Sequence, residues 1–118
     1  MLLFIYGTLK RGGANHARLA GQQYLGEART VAGFTLYSLV DYPGLVAEPS
    51  DQAGVTGELW RVNNACLERL DAFEGLTEGL YVRAAIALAE PPDVGTAETY
   101  FYARSTVGRT PLGQHWPV

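Results

Sequence analysis

The amino-acid sequence predicts a single α+β domain built on a curled, mixed sheet. Three observations carry this. The 118 residues have the length of one domain, and the 47% apolar fraction is enough to fill one core. Strand-like segments outnumber helix-like ones. Their order runs strand, glycine loop, short helix, three strands, helix, two strands. It lacks the regular alternation of a doubly wound parallel sheet.

The elements follow in turn. Leu2 to Tyr6 is a short apolar run stopped by Gly7, as in a strand buried on both faces and ended by a turn. Gly7, Gly12 and Gly13 mark residues 7–14 as a loop. Asn15 to Ala20 suits a short helix closed by Gly21. Gln23 to Tyr37 reads as two strands or one bent strand, because Gly26 and Gly33 interrupt it. Residues 41–54 hold Asp41, Pro43, Gly44, Pro49, Ser50, Asp51 and Gly54 and predict a long loop, of a length that is often functional. Val55 to Val62 is strand-like again. Asn63 or Asn64 suits the N-cap of a helix over Ala65–Glu74, ended by Gly75. Leu80 to Ala89 is the next strand, broken by Pro91-Pro92, and Glu98 to Ala103 is the last. Gly108, Pro111, Gly113 and Pro117 predict an irregular tail from Ser105.

Charge and cysteine content exclude several functions. The net charge is −3 and the densest basic pair is Lys10-Arg11, so there is no basic stripe for nucleic acid and no patch for a membrane surface. That pair could attract an anionic substrate, but it reads first as solvated. Cys66 is the only cysteine, so no intrachain disulfide and no cysteine-based metal site can form. His16 and His115 lack metal-ligand spacing, and no metal or cofactor is expected. The N-terminal apolar run has no basic flank and is too short for a signal peptide, and no segment approaches a membrane span. A cytoplasmic protein is the expectation. Cys66 and Trp60 read as core.

The predicted helix ends in a carboxylate on its apolar side. At about 100° per residue, Leu67, Leu70 and Glu74 share one face, with Cys66, Asp71 and Phe73 beside it. An inward carboxylate is costly unless paired or protonated. Burial and the negative end of the helix dipole would both raise its pKa, as a general acid/base near neutral pH requires. A helix that frays at Gly75 would instead leave Glu74 in water, and periodicity alone does not decide between the two.

The loop Tyr6-Gly7-Thr8-Leu9 directly follows the first apolar strand. Such a loop can turn several backbone N–H groups toward one carboxylate, with a glycine allowing close approach. An ordinary strand-ending turn has the same look.

Several blocks then occur together and in order over residues 1–104. Tyr6-Gly7-Thr8-Leu9-Lys10-Arg11-Gly12 with Asn15-His16, Tyr42-Pro43 with Leu45-Val46, and Gly57-Glu58-Leu59-Trp60 form the first part. Leu70-Asp71-Ala72-Phe73-Glu74, Leu80-Tyr81-Val82-Arg83 and Tyr100-Phe101-Tyr102 form the second. The set resembles the gamma-glutamylcyclotransferase-like family, and within it the gamma-glutamylamine cyclotransferase branch. The resemblance implies a small mixed β-barrel with flanking short helices and a pocket at one mouth. It implies that the Tyr6–Leu9 loop binds the glutamyl end of a small-molecule substrate and that Glu74 is the catalytic carboxylate, with Glu78 left in solvent. The implied reaction is cyclisation of a gamma-glutamyl amide to 5-oxoproline and a free amine, with no metal or organic cofactor.

Tyr42, on the long loop, and Tyr81 are further substrate-binding candidates. Arg83, Tyr100 and Tyr102 could line the pocket or merely pack a strand. Asn15 and His16 could bind substrate or only brace the loop. Two other functions stay open: a non-catalytic binding module on the same scaffold, and an enzyme acting on another amide. The leaving amine and the oligomeric state are left open too.

Overall fold

The structure is a computed structural model and describes residues 1–117. The elements are β1 (Leu2–Ile5), a 3₁₀ turn (His16–Leu19), β2 (Gln23–Thr30), β3 (Phe34–Ser38), β4 (Pro43–Ala47) and β5 (Thr56–Arg61). After these come α1 (Asn64–Phe73), β6 (Tyr81–Ile86), β7 (Leu88–Glu90), β8 (Ala97–Tyr102) and β9 (Pro111–Gly113). Among the described residues the fold is mixed α+β, with one large sheet and one α-helix.

β1 lies inside the sheet, antiparallel to β5 and parallel to β8. That position explains why Leu3, Phe4 and Ile5 are all buried without alternation. Among the described residues the strand path runs β7-β2-β5-β1-β8-β4-β3-β9 and has two ends. The sheet therefore does not close along this path, and of the expected small mixed β-barrel with flanking short helices the mixed α+β class is what is observed. The cause is β8. Along one edge it pairs with the whole of β6, from Tyr81↔Tyr102 to Ile86↔Ala97. Its other edge is divided, with Glu98 opposite Leu3 of β1 and Phe101 opposite Leu45 of β4. β4 then leads outward to β3 and β9.

At this fork β1 leaves β8 and β4 takes over. The buried Tyr6 hydroxyl sits between them. It donates to the Tyr100 carbonyl at 2.7 Å and accepts the Leu45 N–H at 3.2 Å. Both are buried backbone groups that would be costly to leave unpaired.

The long loop expected over residues 41–54 is shorter than predicted, because β4 occupies Pro43–Ala47. Pro43 is tolerated since it opens the strand, where no ladder N–H is needed. Val40-Asp41 form the hairpin turn, closed by Leu39 N–H to Tyr42 C=O at 2.8 Å. Val40 has φ +82 there, at the place glycine takes in a type II′ turn. The tail is not irregular throughout either. β9 pairs with β3, Thr56 N–H bonds Gln114 C=O at 2.8 Å, and Trp116 packs on the core. The single strand expected over Leu80–Ala89 is divided into β6 on β8 and β7 on β2.

α1 covers one face of the sheet. Cys66, Leu67 and Leu70 pack there with Leu3, Ile5, Trp60 and Tyr81. Burying one leucine contributes roughly 1.5–3 kcal/mol, so packing rather than helix propensity holds this element. Asn63 is the N-cap, its Oδ1 accepting the Cys66 N–H at 2.8 Å. Phe4, Leu36, Leu45, Val55 and Leu59 form a second cluster. Among the described residues no helix is long and apolar enough to cross a membrane.

Candidate active site

Glu74 is the C-cap of α1. Gly75 adopts φ +70, and its N–H bonds Ala72 C=O at 3.2 Å. Leu76 N–H bonds Asp71 C=O at 3.2 Å. These are the two bonds of a Schellman motif. The helix therefore stops without fraying, and the Glu74 backbone is held. Its half-buried side chain lines a cleft of about 200 Å³ together with Tyr6, Gly7, Thr8 and Leu9. Burial pushes its pKa from the ordinary 4.5 up to about 7, with the Arg18 charge acting in the opposite direction. Glu78, by contrast, is exposed.

The loop is braced through its carbonyls. Gly7 C=O accepts Lys10 N–H at 3.1 Å and Thr8 C=O accepts Asn15 N–H at 2.9 Å. Asn15 Nδ2 also donates to Thr8 Oγ1 at 3.0 Å. His16 Nδ1 lies 3.0 Å from Leu9 C=O, which requires the ring proton on Nδ1. Among the described residues, the N–H groups of Gly7, Thr8 and Leu9 bond no backbone carbonyl. Those donors remain free for a ligand. Gly7 is needed for a reason the sequence did not disclose. A Cβ there would lie 2.9 Å from Pro43 Cγ, so the glycine lets β1 and β4 close up at the fork.

Tyr81 and Tyr42 complete two walls. The buried Tyr81 hydroxyl donates to Pro43 C=O at 2.8 Å, and half-exposed Tyr42 stands at the rim. The Tyr6 and Tyr81 phenols are both pushed up, first by burial and further by Glu74, so they remain protonated donors. Tyr100, Phe73, Leu80 and Pro43 also line the cleft. The sequence does not mark the last three as pocket residues, although Phe73 adjoins Glu74 on the helix. Arg83 and Tyr102 are not among the lining residues. No Lys, Arg or His lines the cleft among the described residues. Nor is any group of three His, Cys, Asp or Glu placed to hold a metal ion.

A polar cluster behind the cleft fixes α1 to the sheet. Arg83 clamps Asp71 with Nε–Oδ1 at 2.9 Å and Nη2–Oδ2 at 3.1 Å, and it also pairs with Glu98. Tyr100 donates to the same Asp71 Oδ1 at 2.7 Å. On the far side of the loop, buried Glu58 accepts Arg11 N–H at 3.1 Å and Trp60 Nε1–H at 3.1 Å, and pairs with Arg11 Nε. Lys10 is not solvated as expected. It is buried, and its ammonium donates to the Trp116 carbonyl. Its partner lies 106 residues away, beyond the reach of any local pattern.

The arrangement offers one proton-transfer group poised near neutrality, free backbone donors and apolar walls. Comparison with known proteins gives the family. Residues 3–117 match the sequence model of the family described as gamma-glutamyl cyclotransferase, AIG2-like. A putative gamma-glutamylcyclotransferase of Vibrio cholerae serotype O1 is 40% identical over 101 residues, 86% of this chain and 81% of that protein. The gamma-L-glutamyl-butirosin B gamma-glutamyl cyclotransferase of Niallia circulans is 34% identical over 111 residues, 86% of this chain and 67% of its own. The crystal structure of an AIG2-like protein from Mus musculus superposes with a TM-score of 0.75 at 32% identity, covering 86% of this chain and 76% of that one. The chain belongs to the gamma-glutamyl cyclotransferase, AIG2-like family.

Proposed function

We propose that the protein cyclises a gamma-glutamyl amide, releasing 5-oxoproline and a free amine, with Glu74 as base and then acid. One observation carries this: a half-buried carboxyl with a pKa near 7 shares a cleft with a loop whose N–H groups are free. The amino-acid head of the substrate fits both. Its carboxylate lies on the Gly7–Leu9 amides, and its ammonium faces Glu74. Glu74 takes a proton from the ammonium, and the freed nitrogen attacks the γ-carbonyl carbon. The new C–N bond closes a five-membered ring and the old C–N bond breaks. In total the attacking nitrogen gives up two protons and the departing nitrogen gains two, with Glu74 as the carrier. Because the reaction is intramolecular, holding the chain folded supplies much of the rate. Tyr6, Gly7, Thr8, Leu9, Tyr42 and Tyr81 are the substrate-binding set.

The test is incubation with a panel of gamma-glutamyl amides and direct detection of 5-oxoproline. Wild-type protein releases it from at least one member, and Glu74→Gln does not. Equal release by both would dismiss Glu74 as the proton carrier.

A further inference from the structure

A second hollow lies against α1, about 200 Å³ in volume and lined by Ala17, Arg18, Ala20, Arg69 and Leu70. It is formed where the 3₁₀ turn meets the helix. Cys66 Sγ–H contacts the Arg18 carbonyl at 3.7 Å, which pins the turn to the first half of α1. From that anchor the Arg18 side chain runs toward the other end of the helix. Its guanidinium carbon lies 3.8 Å from the centre of the Phe73 ring. Phe73 is a wall of the Glu74 cleft, so Arg18 stands at the boundary of the two cavities.

Arg11, Arg29 and Arg83 form ion pairs; among the described residues Arg61, Arg104 and Arg109 form none, and neither do Arg18 and Arg69. Both line the hollow. Both side chains are exposed, and the Arg18 guanidinium is held over the Phe73 ring. The cleft itself has no cationic side chain, and a negative group on the departing half of a substrate would find no partner inside it. It would find two just outside.

We propose that Arg18 and Arg69 form a subsite for an anionic group, such as a carboxylate, on the departing amine. This rests on the cyclotransferase reading and narrows its substrate class to gamma-glutamyl conjugates of acidic amines. Arg18 is the nearer contact, reached from the scissile bond across the Phe73 ring. Arg69 serves the longer spacer.

The test compares two acids, gamma-glutamyl-alanine and gamma-glutamyl-4-aminobutyrate, with gamma-glutamyl-ethylamide and gamma-glutamyl-butylamide, which lack the carboxylate. Wild-type protein is expected to favour at least one acid over its neutral counterpart by about tenfold in kcat/KM, through KM. In Arg18→Gln/Arg69→Gln that ratio falls toward one. A ratio cancels any change that Arg18 makes to Glu74 itself. No preference in the wild type, or a preference that survives the double substitution, overturns the subsite. If none of the four compounds yields 5-oxoproline, the cyclotransferase reading falls, and calorimetric binding of the same compounds decides the subsite separately. Tighter binding of an acid that disappears in the double variant upholds it, and equal binding in both proteins removes it.

Discussion

Glu74 is a carboxyl whose burial costs the fold stability, and the proposed chemistry would use the same shift. Moving its pKa from 4.5 to about 7 makes ionisation in the folded state about 3 kcal/mol more costly than in the unfolded chain. The folded-state pKa is the raised one, so the penalty is absent below the unfolded value. It grows as pH rises between the two and is complete above about 7. Glu74→Gln is therefore expected to melt higher than wild type at pH 8 and at the same temperature at pH 4. The same variant should lose roughly 10²–10⁴-fold in 5-oxoproline release. Thermal melts at two pH values read the first effect, and a melt that is lower at both would show that Glu74 is a structural group. Tyr6 makes the opposite case. Its hydroxyl is consumed by Tyr100 C=O and Leu45 N–H. Tyr6→Phe should cost about 1–3 kcal/mol of stability, because it strips two buried backbone groups of a partner. A denaturant titration measures it. Glu74 was partly legible in the sequence, since the Leu67–Leu70–Glu74 stripe is local. The task of the Tyr6 hydroxyl was not, since its partners come from two other strands.

Among the elements, α1 and its ending were the most legible, because caps are written within a few residues. Asn63 and Gly75 stand where the capping pattern puts them. Gly75→Ala forces a side chain into left-handed backbone and brings its Cβ to 3.2 Å from Leu80 Cβ. The expected cost is about 1 kcal/mol or more of stability, with kcat falling more than KM as Glu74 shifts. A KM change with kcat intact would show that the motif sets binding and not the carboxyl. β4 was illegible because Pro43-Gly44 carries the signature of a turn, and its strand conformation is imposed by β3 and β8. The β3–β4 turn is itself strained. Val40 is 77% exposed with φ +82. Val40→Gly is expected to raise the melting temperature by an amount corresponding to about 1 kcal/mol, the order of a left-handed β-branched residue's cost. A fall in the melting temperature would show that Val40 makes contacts that outweigh its strain.

On the scale of the whole molecule, the two ends of the chain meet behind the site. Lys10 follows the Gly7–Leu9 loop and is capped by Trp116, while β9 seals β3. None of this pairing was legible, because a tail punctuated by proline and glycine carries no periodicity. Removing residues 111–117 should lower stability and weaken ligand binding together, as measured by melting and calorimetry. Unchanged binding would detach the tail from the site. The divided edge of β8 has a wider consequence. Where β1 and β4 part company, the gap between them is set by backbone pairing and by one phenol wedged in the crotch. The gap thus behaves as a fixed gauge, cut to one width by the sheet itself. On the proposed function, a common head group would be measured against it in every turnover. Tyr42, beside the β3–β4 turn, lies at the rim, where a side chain can be exchanged without altering the gauge. If the proposed reaction holds, a scaffold of this design can change what it releases while keeping constant what it holds.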